Sequence, residues 1–193
     1  MKNLNTYIKE QDLKHIIFDF DETISTLHID WNPWFEDMNE LFLSYDPSFS
    51  YKTFPELLVK QTKYIQKFGK EIVDKIIEIN YQNEKKYYTG QTPNNAIVSF
   101  IKENFNVYRF YVWTSNDRRT ILPAMKKLEI NDCFEKIITR NDVTFIKPDP
   151  EGFHKMAIKE VNLKQILMVG DSFADEKAAN SAGIHFVNVN AFL

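Results

Sequence analysis

The chain has 193 residues, with 24 Lys+Arg against 27 Asp+Glu and a formal net charge of −3. That length suits one large domain, or one domain carrying an insert, and it buries a core without disulfide or metal staples. The mild acidity argues against a binder of nucleic-acid polymers or of anionic membranes, which carry a basic excess.

The single cysteine, Cys133, has no partner for an internal disulfide and no Cys neighbours for a zinc site, and it fits a reducing compartment. Residues 1–14 are polar and lack the apolar core of a signal peptide. No apolar run reaches the roughly 18–20 residues that span a bilayer. A cytoplasmic protein with no membrane partner is expected.

In chain order, the apolar run His15–Phe20 reads as a strand leading into a polar cluster of Asp19, Asp21 and Thr23. Residues 25–88 then break the pattern. They show no convincing strand and read as helices over 34–44, 55–68 and 70–87. In the last, Ile72, Val73, Ile76, Ile77, Ile79 and Asn80 make a mostly apolar stripe. Gly90-Gln91-Thr92-Pro93 is the expected return point.

From there strands and helices alternate. A helix is expected over 93–104, with Pro93 near its first turn, then a strand over 107–113. Asn116 is the expected N-cap of a helix over 117–128. Further strands are expected at 136–139, 165–169 and 185–189, with helices at 150–161 and 173–182, the last capped by Gly183. This rhythm predicts an α/β fold, a Rossmann-like parallel sheet covered on both faces. Residues 1–24 and 89–193 form its core, and residues 25–88 form an inserted helical cap.

In such sheets ligands bind beyond the carboxyl ends of the strands. The polar residues expected there are Asp19 and Asp21, Ser115 and Asn116, Lys147, then Asp171 and Asp175. Clustered carboxylates repel, and a hard divalent cation is the usual reason to keep them together. An oxygen-only donor set suits Mg²⁺. A lysine and a hydroxyl beside the metal suit a phosphoryl group.

These residues stand in four ordered motifs. They are Ile16-Ile17-Phe18-Asp19-Phe20-Asp21-Glu22-Thr23, then Tyr111-Val112-Trp113-Thr114-Ser115-Asn116, then Ile146-Lys147-Pro148, then Met168-Val169-Gly170-Asp171-Ser172-Phe173-Ala174-Asp175. In this the chain resembles the haloacid dehalogenase superfamily of phosphohydrolases, and the resemblance runs over residues 15–183. It implies that Asp19 is a nucleophile forming an aspartyl-phosphate, and that Asp21 is the general acid and base. It implies that Asp19, the backbone carbonyl of Asp21, and Asp171 hold Mg²⁺. Ser115, Asn116 and Lys147 would bind the phosphoryl group. Asp175 would support the metal shell or orient Lys147, and Thr23 would brace the turn. One departure stands out, because Glu22 occupies a position where that family's first motif most often has glycine.

The implied reaction is Mg²⁺-dependent hydrolysis of a small phosphorylated metabolite. Asp21 argues against a haloacid dehalogenase, which lacks the second acid. Lys52, Lys60, Lys63 and Lys67 show no sign of the desolvation a phosphonatase lysine needs. A phosphomutase and a non-catalytic phosphate-binding protein are the alternatives on the same fold.

Overall fold

The structure is a computed structural model that describes residues 4–158 and 161–192. Its elements run α1 (Leu4–Glu10), β1 (His15–Phe18), β2 (Ser25–Ile29), α2 (Asn32–Tyr45), α3 (Phe54–Phe68), α4 (Lys70–Tyr87) and β3 (Tyr88–Pro93). They continue with α5 (Asn95–Asn104), β4 (Arg109–Trp113), α6 (Arg118–Lys127), β5 (Lys136–Ile138), α7 (Glu151–Met156), β6 (Ile166–Gly170), α8 (Phe173–Ala182) and β7 (His185–Asn188).

The chain divides into two compact units, residues 1–27 with 91–193, and residues 28–90. The first is an α/β unit. Five strands lie in the order β5-β4-β1-β6-β7, and every pairing is parallel. The three central strands, β1, β4 and β6, bury both faces, which is why their runs are continuously apolar rather than alternating. On one face Ile17, Tyr111 and Met168 share a rung and pack with Trp113, Ile138, Phe153 and Met156 of α7, and Ala178, Ala179 and Ala182 of α8. On the other, Phe18 and Phe110 pack edge to face at 5.5 Å, and both contact Phe100 of α5. Strand β1 sits between β4 and β6, so the carboxyl ends of those three strands come together. This is the crevice where α/β sheets bind ligands.

The second unit is helical. Its interior includes Trp34, Met38 and Phe42 of α2, Leu57, Leu58 and Ile65 of α3, and Ile72, Val73 and Ile76 of α4. Thr53 caps α3 by accepting from the Glu56 N–H at 3.3 Å. Rings of Trp31, Trp34, Phe35 and Phe54 make edge-to-face contacts within this unit. Among the described residues no helix is long and apolar enough to cross a membrane.

Several sequence expectations are corrected here. Residues 25–88 were expected to hold no strand, yet β2 occupies 25–29 and pairs with β3 as a two-stranded ribbon. Ser25 Oγ donates to the Thr92 carbonyl at 3.0 Å, and Thr89 Oγ1 to the His28 carbonyl at 3.2 Å. Gly90 and Pro93 give β3 little strand propensity of its own, so its extended form comes from the partner strand.

The helix expected to begin at Pro93 begins at Asn95. Asn94 is its cap, and Pro93 closes β3. The helix expected over 150–161 stops at Met156, because Ala157 turns into the left-handed region at φ 53°; residues 159–160 of that expectation lie outside the described residues. The cap of α6 is Asp117 rather than Asn116. Helix α1, unforeseen in the sequence, buries Leu4 and Ile8, an i,i+4 pair.

Candidate active site

Asp19 follows β1 directly, and its N–H extends the sheet by donating to the Val169 carbonyl at 2.9 Å. Its carboxylate is nearly buried. Lys147, reached after β5, is 4 % exposed and donates from Nζ to Asp19 Oδ1 at 2.8 Å, to Asp175 Oδ1 at 2.5 Å and to the Trp113 carbonyl at 2.9 Å. Three acceptors for three N–H bonds satisfy the ammonium completely. Burial opposes the lysine's charge, but Asp175 and Asp19 outweigh it, and its pKa ends above the ordinary value. Burial pushes the Asp19 carboxyl up, and Lys147 pulls the other way.

Asp175 is wholly buried and owes its place to a helix cap. Ser172 caps α8 by accepting from the Asp175 N–H at 3.3 Å. In return Asp175 Oδ2 accepts from the Ser172 N–H at 3.1 Å and from Ser172 Oγ at 2.6 Å. Its other oxygen faces Lys147. Gly170 makes room for this, because a Cβ there would lie 2.6 Å from Asp175 Cγ. Asp171, between them, accepts from Thr23 Oγ1 at 3.4 Å. Burial and the neighbouring Asp175 raise its carboxyl above the usual range.

Asp19, Asp171 and Asp175 each offer one carboxylate oxygen, and the three atoms lie within 4.8 Å of one another. Both Asp175 oxygens are already engaged by Lys147 and Ser172, so Asp19 and Asp171 are the members left to take a cation. The set is all oxygen and all anionic, which fits a hard divalent ion and no soft one.

Asp21 stands apart from that cluster. Its Oδ1 accepts from the Leu27 N–H at 2.7 Å and the Glu22 N–H at 3.1 Å, which leaves Oδ2 without a partner among the described residues. Burial is the main cause that lifts its carboxyl to about 6, against those two hydrogen bonds and with help from the charges of Glu22 and Asp171. Glu22 adopts φ 59°, in the left-handed region that glycine enters freely. That conformation accounts for the glycine usual at this position in the resemblance, and Glu22 adopts it against the ordinary preference of a side chain.

Ser115 is half-buried, and its hydroxyl has no partner among the described residues. Asn116 is buried and faces its own turn, with its Oδ1 accepting from Thr114 Oγ1 at 2.9 Å and its carbonyl accepting from the Arg140 N–H at 3.0 Å. The structure thus gathers Asp19, Lys147, Asp171, Asp175 and Thr23 through direct contacts. Asp21 and Ser115 follow the same set of strand ends, and Asn116 braces the loop that carries Ser115.

A family described as haloacid dehalogenase-like hydrolase matches residues 16–189. The chain belongs to this family.

Among curated relatives of this haloacid dehalogenase-like hydrolase is the pyrophosphatase PpaX of Bacillus mycoides strain KBAB4. It is 29% identical over 84 residues, which make up 43% of this chain and 39% of the relative. The match therefore spans about two fifths of that protein. Among solved structures, a haloacid dehalogenase-like hydrolase from Bacteroides fragilis aligns with TM-score 0.60 at 19% identity, over 90% of this chain and 86% of its own. A protein assigned as a phosphoglycolate phosphatase from Lactobacillus plantarum aligns with TM-score 0.55 at 18% identity, over 92% and 86%. At these identities the structural likeness speaks for the fold alone.

Sequence reasoning missed three contributors to the hydrolase's site. Ser172 was legible, since Ser172-x-x-Asp175 is a capping-box pattern. The Trp113 carbonyl and the Leu27 N–H are backbone groups that no side-chain pattern marks. Outside the site, Arg140 is 1 % exposed, its N–H donates to the Asn116 carbonyl, and neither of its Nη atoms has a partner among the described residues.

Proposed function

We propose that the chain is a Mg²⁺-dependent phosphomonoesterase acting on a small phosphorylated metabolite, with Asp19 as the group that is transiently phosphorylated. The observation that carries this reading is Lys147, whose ammonium joins Asp19 to Asp175 with Asp171 beside them. A nucleophilic carboxylate, a fixed cation and a free metal-binding carboxylate are the parts that phosphoryl transfer needs, since it is largely positioning and charge stabilisation.

Asp19 and Asp171 would hold the ion. When bound, a hard divalent cation supplies positive charge that keeps Asp19 ionised and eases the approach of a phosphate dianion. Asp19 attacks phosphorus as the bond from phosphorus to the leaving oxygen breaks. Asp21 delivers the proton from Oδ2 to that oxygen, because Oδ1 is held by two N–H groups. The Ser115 hydroxyl binds an oxygen of the transferred group, and Lys147 binds another by exchanging one of its three present acceptors for it. In the second step Asp21, now ionised, takes a proton from water as the water attacks phosphorus. Phosphate leaves, and Asp19 is free again. Asp175 touches no substrate in this scheme, and it positions Lys147.

The similarity to PpaX makes pyrophosphate a second candidate substrate. The test is phosphate release from sugar phosphates, nucleotides, phosphoglycolate, pyrophosphate and an aryl phosphate, with Mg²⁺ and with chelator. Asp19→Asn serves as the control. Chelator-sensitive release that the variant lacks supports the reading, and equal release by the variant overturns it. Isomerised product without net phosphate would point to a mutase.

A further inference from the structure

We propose that Glu22 selects leaving groups that carry a positive charge, so that the preferred substrate is an ammonium-bearing phosphomonoester. The inference rests on the phosphomonoesterase reading above. Glu22 follows Asp21 directly, and its N–H donates to Asp21 Oδ1 at 3.1 Å. The leaving oxygen must come within hydrogen-bond reach of Asp21 to be protonated. Whatever is attached to that oxygen therefore lies beside the turn that carries residues 21 and 22.

The Glu22 side chain is exposed, and among the described residues its hydrogen-bond partner is Thr26 Oγ1, which donates to Oε2 at 3.1 Å. Among the described residues no lysine, arginine or histidine pairs with it. Asp19 and Asp175 share Lys147 and Asp171 belongs to the metal cluster, so Asp21 and Glu22 are the carboxylates at this site with neither a cation nor a place in that cluster, and of the two Asp21 serves as the acid. The charge of Glu22 reaches both Asp21 and Asp171. Its backbone sits at φ 59°, a conformation that side chains rarely adopt.

An unpaired carboxylate there attracts an ammonium on the leaving group and repels a carboxylate or a second phosphate. Across a partly hydrated gap such a charge pair changes relative rates by about tenfold. The same argument disfavours phosphoglycolate and pyrophosphate.

Three substrates of matched size isolate the charge: phosphoethanolamine, propyl phosphate and phosphoglycolate. The readout is the order of kcat/KM for wild type, Glu22→Gln and Glu22→Lys, each checked for folding by circular dichroism, with p-nitrophenyl phosphate as a general reporter. Wild type is expected to prefer the ammonium compound over the neutral one by about tenfold, and the neutral one over the carboxylate. Glu22→Gln is expected to collapse these ratios towards one, and Glu22→Lys to invert them. A wild-type order that ignores charge or favours phosphoglycolate overturns the proposal while leaving the phosphatase standing. So does a Glu22→Gln variant that slows all three substrates equally. Release from none of the substrates, p-nitrophenyl phosphate included, overturns both readings.

Discussion

Asp175 holds Lys147 at 2.5 Å, and both side chains are buried at the carboxyl ends of the sheet. A buried charge pair is costly to assemble and costlier to split, because the survivor keeps its desolvation penalty. Here the lysine is shared with Asp19, so Asp175 sets where the ammonium stands when phosphate arrives.

Asp175→Asn is therefore expected to lower both stability and turnover. Loss of one partner of a buried pair costs about 3–5 kcal/mol, and the Ser172 cap weakens with it. Denaturant unfolding checks the first, and kcat on an aryl phosphate checks the second. A variant with wild-type stability would show that Lys147 needs no second carboxylate.

Asp21 sets a pH dependence whose sign follows from its raised carboxyl, lifted to about 6. As general acid it must carry a proton in the first step. For substrates with poor leaving groups, kcat/KM is expected to fall as pH rises through about 6. An aryl phosphate, whose leaving group needs no proton, is expected to show little of this limb. Stability follows the same proton. The folded state binds it more tightly than the unfolded chain, so stability attributable to Asp21 declines as pH rises from about 4 to about 6. Asp21→Asn is expected to be more stable than wild type at pH 7.5, by up to about 3 kcal/mol. Thermal unfolding of the two proteins across that range reads the difference.

Asp117 shows the opposite sign. Burial raises its carboxyl, but Arg119 and Asn141 outweigh burial, and the net pKa is lowered. Its oxygens accept from the Arg119 N–H at 2.9 Å, Arg119 Nε at 2.8 Å, Arg119 Nη2 at 2.9 Å and Asn141 Nδ2 at 2.9 Å. That stabilisation is complete above the unfolded value, near 3.8, and is lost as pH falls below it. Asp117→Asn is expected to unfold at a lower temperature than wild type at pH 7, with the gap narrowing below pH about 4. A constant gap across that titration would contradict the ionic origin.

Much of this was legible in the sequence because the chemistry follows buried strands. The runs before Asp19, Ser115 and Asp171 are apolar on both faces, and that alone places their polar ends along one edge. The sequence also suggested Gly183 as the stop of α8, and the structure puts it at φ 72°. The ribbon was hidden for a physical reason, since Tyr88–Pro93 carries Gly90 and Pro93 and has no alternation to read. The early end of α7 was hidden too, because Ala157 is a good helix former by type, and nothing in its side chain marks the left-handed turn it makes at φ 53°. Asn116 and Asp117 are both good caps by type, and only the geometry chooses between them.

The most direct test of the central claim is to trap the phosphorylated aspartate. In Asp21→Asn the acid is gone, but an aryl leaving group departs without it, so the first step proceeds and the second stalls for lack of a base. After acid quenching of that variant with p-nitrophenyl phosphate and Mg²⁺, peptide mass spectrometry is expected to find one phosphoryl group on the peptide containing Asp19. Turnover of p-nitrophenyl phosphate with no covalent adduct, or with the adduct on another residue, would contradict the account.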